Sequence, residues 1–143
     1  MNKVLIVYWS GTGNTEMMAS IIADGIKEAG AEVIMVSVES AKADIVSDVE
    51  RIALGCPSMG AEQLEDEYME PFMCEIDSLI KDKKIALFGS YGWGNGEWMQ
   101  EWEQRVLQDG ASIVQEHGLI VNGTPDDDCI EKCKVLGTML AKY

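Results

Sequence analysis

Five short apolar runs dominate the sequence: Val4–Val7, Val33–Val36, Ile52–Leu54, Ile85–Phe88 and Leu119–Val121. Each is continuous, with no polar residue at alternate positions. A strand with one wet face would alternate, so a continuous run implies apolar partners on both faces. The stretches between the runs carry a different period. Met18, Ile21, Ile22, Gly25, Ile26 and Ala29 recur at three-and-four spacing before Gly30, which suits a helix stop. Phe72, Met73, Ile76, Leu79 and Ile80 repeat the pattern behind Pro71, a residue suited to a first helical turn. Trp98, Met99, Trp102 and Val106 precede Gly110, and Ile130, Cys133, Gly137, Leu140 and Ala141 form a last stripe. Glu39–Glu50 is more polar and only partly periodic, and predicts the weakest helix of the set. Alternation of this kind requires right-handed crossovers and a parallel sheet between helical layers. Residues 1–143 carry no linker, repeat or low-complexity segment and are expected to form one domain.

Charge narrows the partners. A net charge of −14, from 25 acidic and 11 basic residues, argues against binding nucleic acid and against docking on an anionic membrane. No run approaches the ~20 apolar residues of a membrane span, and none resembles a secretory signal. A cytoplasmic location is expected, with Cys56, Cys74, Cys129 and Cys133 as thiols serving as small apolar fillers. Cys129 and Cys133 stand one helical turn apart, but no second pair or nearby histidine completes a metal site. His117, the only histidine, has no acidic or nucleophilic companion that suggests catalysis and receives no role. Trp98 and Trp102, one turn apart on a helix, are expected in the core or at an interface.

In an open parallel sheet the ligand sits beyond the carboxyl ends of the strands, so the loops that follow the runs carry the chemistry. The first, Ser10-Gly11-Thr12-Gly13-Asn14-Thr15, leads from a buried strand into a helix. Free N–H groups at a helix start carry partial positive charge and suit an anion. The absence of lysine excludes the triphosphate loop, and Glu16 at the third glycine position excludes the dinucleotide pattern. A terminal monophosphate held without a counter-cation fits best. The third run continues as Gly55-Cys56-Pro57-Ser58-Met59-Gly60-Ala61-Glu62, and the fourth as Gly89-Ser90-Tyr91-Gly92-Trp93-Gly94-Asn95-Gly96-Glu97-Trp98.

With these three loops in register over essentially the whole chain, the sequence resembles the short-chain flavodoxins of anaerobic bacteria. The resemblance implies a doubly wound, five-stranded parallel sheet in the order 2-1-3-4-5 with helices on both faces; that order is inherited from the family. It implies a non-covalent flavin mononucleotide (FMN), with Ser10, Gly11, Thr12, Gly13, Asn14 and Thr15 on the phosphate and Ser58 and Ser90 assisting. Trp93 would stack on one face of the ring and Met59 on the other. Glu62 would accept from N3–H, and backbone amides of the Tyr91-Gly92-Trp93-Gly94 loop would meet the pyrimidine edge. The peptide between Gly60 and Ala61 would flip on one-electron reduction, letting the Gly60 carbonyl stabilise the semiquinone. The activity implied is low-potential electron transfer, one electron at a time, through the semiquinone/hydroquinone couple. No catalysis on a separate substrate is implied, and a monomer is expected.

The residues add two details. Positive φ at Ala61 would cost roughly 1–2 kcal/mol, whereas Gly60 adopts it freely, so a steric bias acts on that turn. Glu62, Glu65, Asp66, Glu67, Glu70 and Glu97, with Asp126, Asp127 and Asp128, form an acidic collar, while Lys3, Arg51, Lys83 and Lys84 cluster at strand starts. Each acidic charge about 12 Å from a reduced ring costs about 0.35 kcal/mol in water-like dielectric, or about 15 mV. The collar would also steer basic-surfaced redox proteins as donors and acceptors.

Other readings are weaker. A response-regulator receiver needs an aspartate where Gly55-Cys56 stands, and a low-molecular-weight phosphatase needs an arginine after Cys56, yet the next is Arg105. An FMN enzyme of the same fold, such as a quinone reductase or a ribonucleotide-reductase activating flavoprotein, needs an inserted loop to build a substrate pocket, and this chain has none long enough.

Overall fold

A computed structural model of the chain describes residues 3–143. The first run becomes β1 (Lys3–Tyr8) and is followed by α1 (Asn14–Glu28) and β2 (Glu32–Ser37). Then come β3 (Arg51–Gly55), α2 (Met69–Ile76), β4 (Lys84–Tyr91) and α3 (Glu97–Gln108). The chain closes with β5 (Ser112–Ile113), β6 (Leu119–Asn122) and α4 (Asp127–Lys142). All strand pairs are parallel, in the order β2-β1-β3-β4-β5, with β6 also paired to β4. The expected 2-1-3-4-5 arrangement is therefore present, with its fifth place shared by two short strands.

The continuous runs are explained by two cores. Successive side chains point to opposite faces of a strand. Leu5, Val7, Ile52, Leu54, Ile85 and Leu87 meet α2 and α3 on one face. Val4, Ile6, Tyr8, Ala53, Ala86 and Phe88 meet α1 and α4 on the other. The rule weakens at the sheet edge: β2 is only half-buried and its Met35 is exposed, because no strand covers its outer side.

Three further expectations are corrected, and one strand is added. Glu39–Glu50 forms no α-helix but two 3₁₀ segments, Val38–Ser40 and Ala43–Asp48, since only Val38, Val46 and Val49 there are fully buried. α2 ends at Ile76, which leaves Leu79 exposed beyond it although Ile80 is buried. Cys74 is an exposed thiol and not a core filler, unlike Cys56, Cys129 and Cys133. The strand Ser112–Ile113 gives no sequence signal. Between β5 and β6 the Gln115 side chain occupies the gap in the ladder, donating from Nε2 to the Leu87 carbonyl (2.9 Å) and accepting from Leu87 N–H (3.4 Å). A side-chain amide there replaces one backbone unit, so β4 keeps its pairing across the break.

Helices α1 and α4 touch backbone to backbone. A Cβ on Gly25 would overlap the Lys134 carbonyl, and one on Gly137 would overlap the Ile22 carbonyl. This contact lies in the second half of α1, where Ile22 and Ile26 face α4. Among the described residues no helix is long and apolar enough to cross a membrane.

Candidate functional site

Sheet pairing continues past the strand ends and lays the loops side by side. Trp9 N–H donates to the Gly55 carbonyl (3.0 Å), Cys56 N–H to Phe88 (3.1 Å), Ser58 N–H to Ser90 (3.0 Å) and Gly123 N–H to Tyr91 (2.9 Å). Between them lies a cleft of about 280 Å³. Gly11, Thr12 and Asn14 line it from the first loop, Pro57, Ser58 and Met59 from the second, and Ser90, Tyr91 and Gly92 from the third. Trp9 and Gly123 complete its wall. A larger groove between β6 and α4, walled by Leu119, Val135 and Met139, has no such glycine loops or helix start around it.

The first loop is shaped for an anion. Ser10 Oγ accepts from the N–H groups of Gly13 and Glu16, both at 3.2 Å, and so folds the loop onto the start of α1. Gly13 itself caps the helix in the left-handed region. The N–H groups of Gly11, Thr12, Asn14 and Thr15 make no hydrogen bond among the described residues. They stand at the positive end of a 15-residue helix. Thr15 is buried under the loop, where its hydroxyl meets Ser90 Oγ at 3.2 Å and accepts from Ser90 N–H at 3.3 Å. The structure thus uses Ser10 and Thr15 to build the loop, and turns Gly11, Thr12 and Asn14 toward the cleft.

The second loop is a hairpin. Met59 and Gln63 exchange both backbone hydrogen bonds, at 2.9 and 3.0 Å. Gly60 takes positive φ (52°) and Ala61 does not, in accord with the steric cost expected at alanine. The turn closes one residue later than expected, and Glu62 adopts φ 53°. Glu62 is buried: Oε1 accepts from the N–H groups of Gly96 (3.0 Å) and Glu97 (2.9 Å), and Oε2 from Asn95 (3.3 Å). Its carboxylate occupies the start of α3 and compensates for the unfavourable φ. Gly94 packs directly on that carboxylate, while Trp93 is 65% exposed and does not line the cleft.

Glu65 repeats the device at α2, accepting from Glu67 (2.7 Å), Tyr68 (2.8 Å) and Met69 (2.9 Å) N–H. The acidic collar is therefore less uniform than the sequence implies. Glu62 and Glu65 are spent on helix starts, Glu70 pairs with Arg105 (2.8 Å), and Asp128 with Lys132 (3.0 Å). Asp126 caps α4 through Cys129 N–H (2.8 Å). Asp66, Glu67, Glu97 and Asp127 stay exposed around the loops. Burial pushes the Cys56 thiol up to about 12, so it is no nucleophile at neutral pH. Trp98 is core, its Nε1–H donating to the Cys56 carbonyl at 3.0 Å and its ring tilted against Tyr91. Trp102 is also buried, and His117 is exposed between Glu103 and Glu116.

Sequence reasoning missed Trp9, Pro57 and Gly123. Trp9 alone left a signal, an aromatic residue placed where the first strand leaves the sheet.

An open doubly wound sheet with an anion-binding helix start, glycine loops and aromatic walls at its carboxyl edge defines a nucleotide-type cofactor protein of the α/β class. Residues 6–135 match the Flavodoxin family model. The chain is 50% identical to the flavodoxin of Megasphaera elsdenii over 139 residues, covering 97% of this chain and 98% of that one. It is 50% identical to the flavodoxin of Clostridium beijerinckii over 129 residues, covering 88% and 93%. The solution structure of two-electron reduced Megasphaera elsdenii flavodoxin superimposes with a TM-score of 0.90, covering 98% of this chain and 99% of that one. The chain belongs to the flavodoxin family, whose members are electron carriers and not substrate-converting enzymes. FMN is the family's cofactor. The residues present suit it: four unpaired N–H groups for a phosphate, no cation in the loops, and apolar walls from Trp9, Met59 and Tyr91 for a flat ring.

Proposed function

We propose that residues 1–143 form one FMN-binding domain that acts as a monomeric, cytoplasmic, low-potential carrier of single electrons. The unpaired N–H groups of Gly11, Thr12 and Asn14, opening on the cleft at the α1 start, support this reading most directly. They would hold the phosphate, Ser58 and Ser90 would flank it, and Met59, Tyr91 and Trp93 would meet the ring. Bound FMN supplies two successive one-electron steps. The protein separates those steps by what it offers the ring. The Gly60 carbonyl makes no hydrogen bond among the described residues and is available to accept a proton-bearing nitrogen. Ala61 restricts that turn, and Glu62, at the start of α3, stands between the Met59 hairpin and the Trp93 loop.

The test is direct. Apoprotein is expected to bind one FMN per chain at micromolar concentration or tighter, and reductive titration is expected to resolve two one-electron steps. A colourless protein that refuses FMN, or rapid turnover of a quinone with NADH, would overturn the reading.

Partner choice follows from the exposed acids. Asp66, Glu67, Glu97 and Asp127 favour basic-surfaced redox partners. Electron delivery to such a partner is expected to slow several-fold as salt rises from about 0.01 M to about 0.5 M. Rates indifferent to salt would remove the steering argument.

A further inference from the structure

At the start of α1 one carboxylate is placed to compete for the N–H groups that the first loop leaves open. Glu16 is the acidic residue of the first helical turn. It stands three residues after Gly13, the position from which a glutamate side chain reaches back to the capping residue's N–H in a capping box. It does not do so here. Gly13 N–H donates to Ser10 Oγ (3.2 Å), and Glu16 Oε2 accepts instead from the Tyr8 hydroxyl at 3.0 Å. Tyr8 is the last residue of β1 and is buried in the core between the sheet, α1 and α4. Packing therefore fixes its hydroxyl. Glu16 is exposed, and among the described residues its carboxylate has no other hydrogen-bond donor. Burial first, then the bond to Glu16 and the charges of Glu16 and Glu39, raise the Tyr8 hydroxyl above its ordinary value, so it stays a donor at neutral pH.

We propose that Tyr8 is a positioning residue that ties the Glu16 carboxylate to the end of β1 and so keeps the α1 start open to a phosphate. The proposal rests on the reading that the first loop holds the FMN phosphate. An untied Glu16 is free to bend over its own helix start, where the macrodipole favours negative charge. Gly11, Thr12 and Asn14 present their unpaired N–H groups to the cleft at that end. A carboxylate there both occupies donors and repels the phosphate, and no lysine or arginine in the loop offsets its charge. The bond to Tyr8 thus acts on phosphate affinity through Glu16, without Tyr8 touching the ligand.

FMN affinities of the apoproteins, read from the quenching of flavin fluorescence, separate this role from packing alone. Tyr8→Phe keeps the ring and removes the hydroxyl, and its FMN dissociation constant is expected to rise about tenfold, the scale of one hydrogen bond to a charged group. Adding Glu16→Gln to Tyr8→Phe is expected to recover most of that loss, because no carboxylate remains to compete. A hydroxyl that served packing alone would give a double variant as weak as Tyr8→Phe. Should Tyr8→Phe fail to fold, Glu16→Asp decides the matter on an exposed side chain. Aspartate keeps the charge but falls short of Tyr8, and FMN is expected to bind it several-fold more weakly than wild type. A double variant no tighter than Tyr8→Phe, or Glu16→Asp as tight as wild type, would overturn the proposal while leaving the FMN reading in place. Wild-type apoprotein that refuses FMN would overturn that reading, and the proposal with it.

Discussion

Replacing Gly137 by alanine is expected to lower the unfolding free energy by about 2–3 kcal/mol, although alanine is the better helix former. Propensity alone predicts a gain of about 1 kcal/mol in a helix interior. Here the added Cβ would overlap the Ile22 carbonyl, a backbone atom that cannot rotate away. Relief requires α4 to lift from α1, which loosens the contacts of Ile22, Ile26, Cys133 and Leu140 in the same core. Overpacking of this kind costs about 1–3 kcal/mol and more when backbone must shift. The unfolding midpoint should fall by about 8 °C for a chain of this size. Gly25→Ala meets the Lys134 carbonyl at the same crossing, so the double variant should lose less than the sum, since one separation relieves both overlaps. A Gly137→Ala protein as stable as wild type in a urea titration would show that the helices do not touch in this way.

The second large effect is expected at Glu62. Glu62→Ala should destabilise the apoprotein by about 3 kcal/mol. It strips acceptors from the N–H groups of Asn95, Gly96 and Glu97 at the start of α3. Glu62→Gln, which keeps one acceptor oxygen but no charge, should lose about half as much. Glycine separates the two contributions at this position. With Glu62 at φ 53°, Glu62→Gly removes the same carboxylate yet relieves a left-handed backbone, and should be about 1 kcal/mol more stable than Glu62→Ala. Equal stability of the alanine and glycine variants would contradict the backbone conformation. Loss of stability in none of the three would contradict the capping role.

Both expectations concern residues whose sequence signals were incomplete. Gly25 and Gly137 fall on apolar stripes at helical spacing, which marks their faces as buried. Only the crossing of α1 and α4 shows that each glycine opposes a carbonyl of the other helix. Glu62 stands in an acidic stretch that reads as solvated, and Glu65 lies three residues on. Glu62 is buried because the second loop passes the start of α3, a coincidence of tertiary position, whereas Glu65 caps the start of α2 locally, from four residues upstream of Met69.

The alternation of continuous apolar runs with helical stripes, and the glycine loops after the first, third and fourth strands, were determined by the sequence alone. A strand buried on both faces, and a backbone that must approach an anion, each demand particular residue types wherever the chain goes. The interruption of the fifth strand was decided by the tertiary structure. Gln115 can complete the ladder only because Leu87 presents its N–H and carbonyl there, and an isolated glutamine carries no trace of that. Trp9 and Gly123 joined the cleft for the same reason, since pairing of the strand ends brings distant loops together. Glu62 became the cap of α3 through a contact between segments far apart in the chain. Local patterning selects elements through their own periodicity, whereas a polar group's partner depends on which other element the packed sheet places beside it.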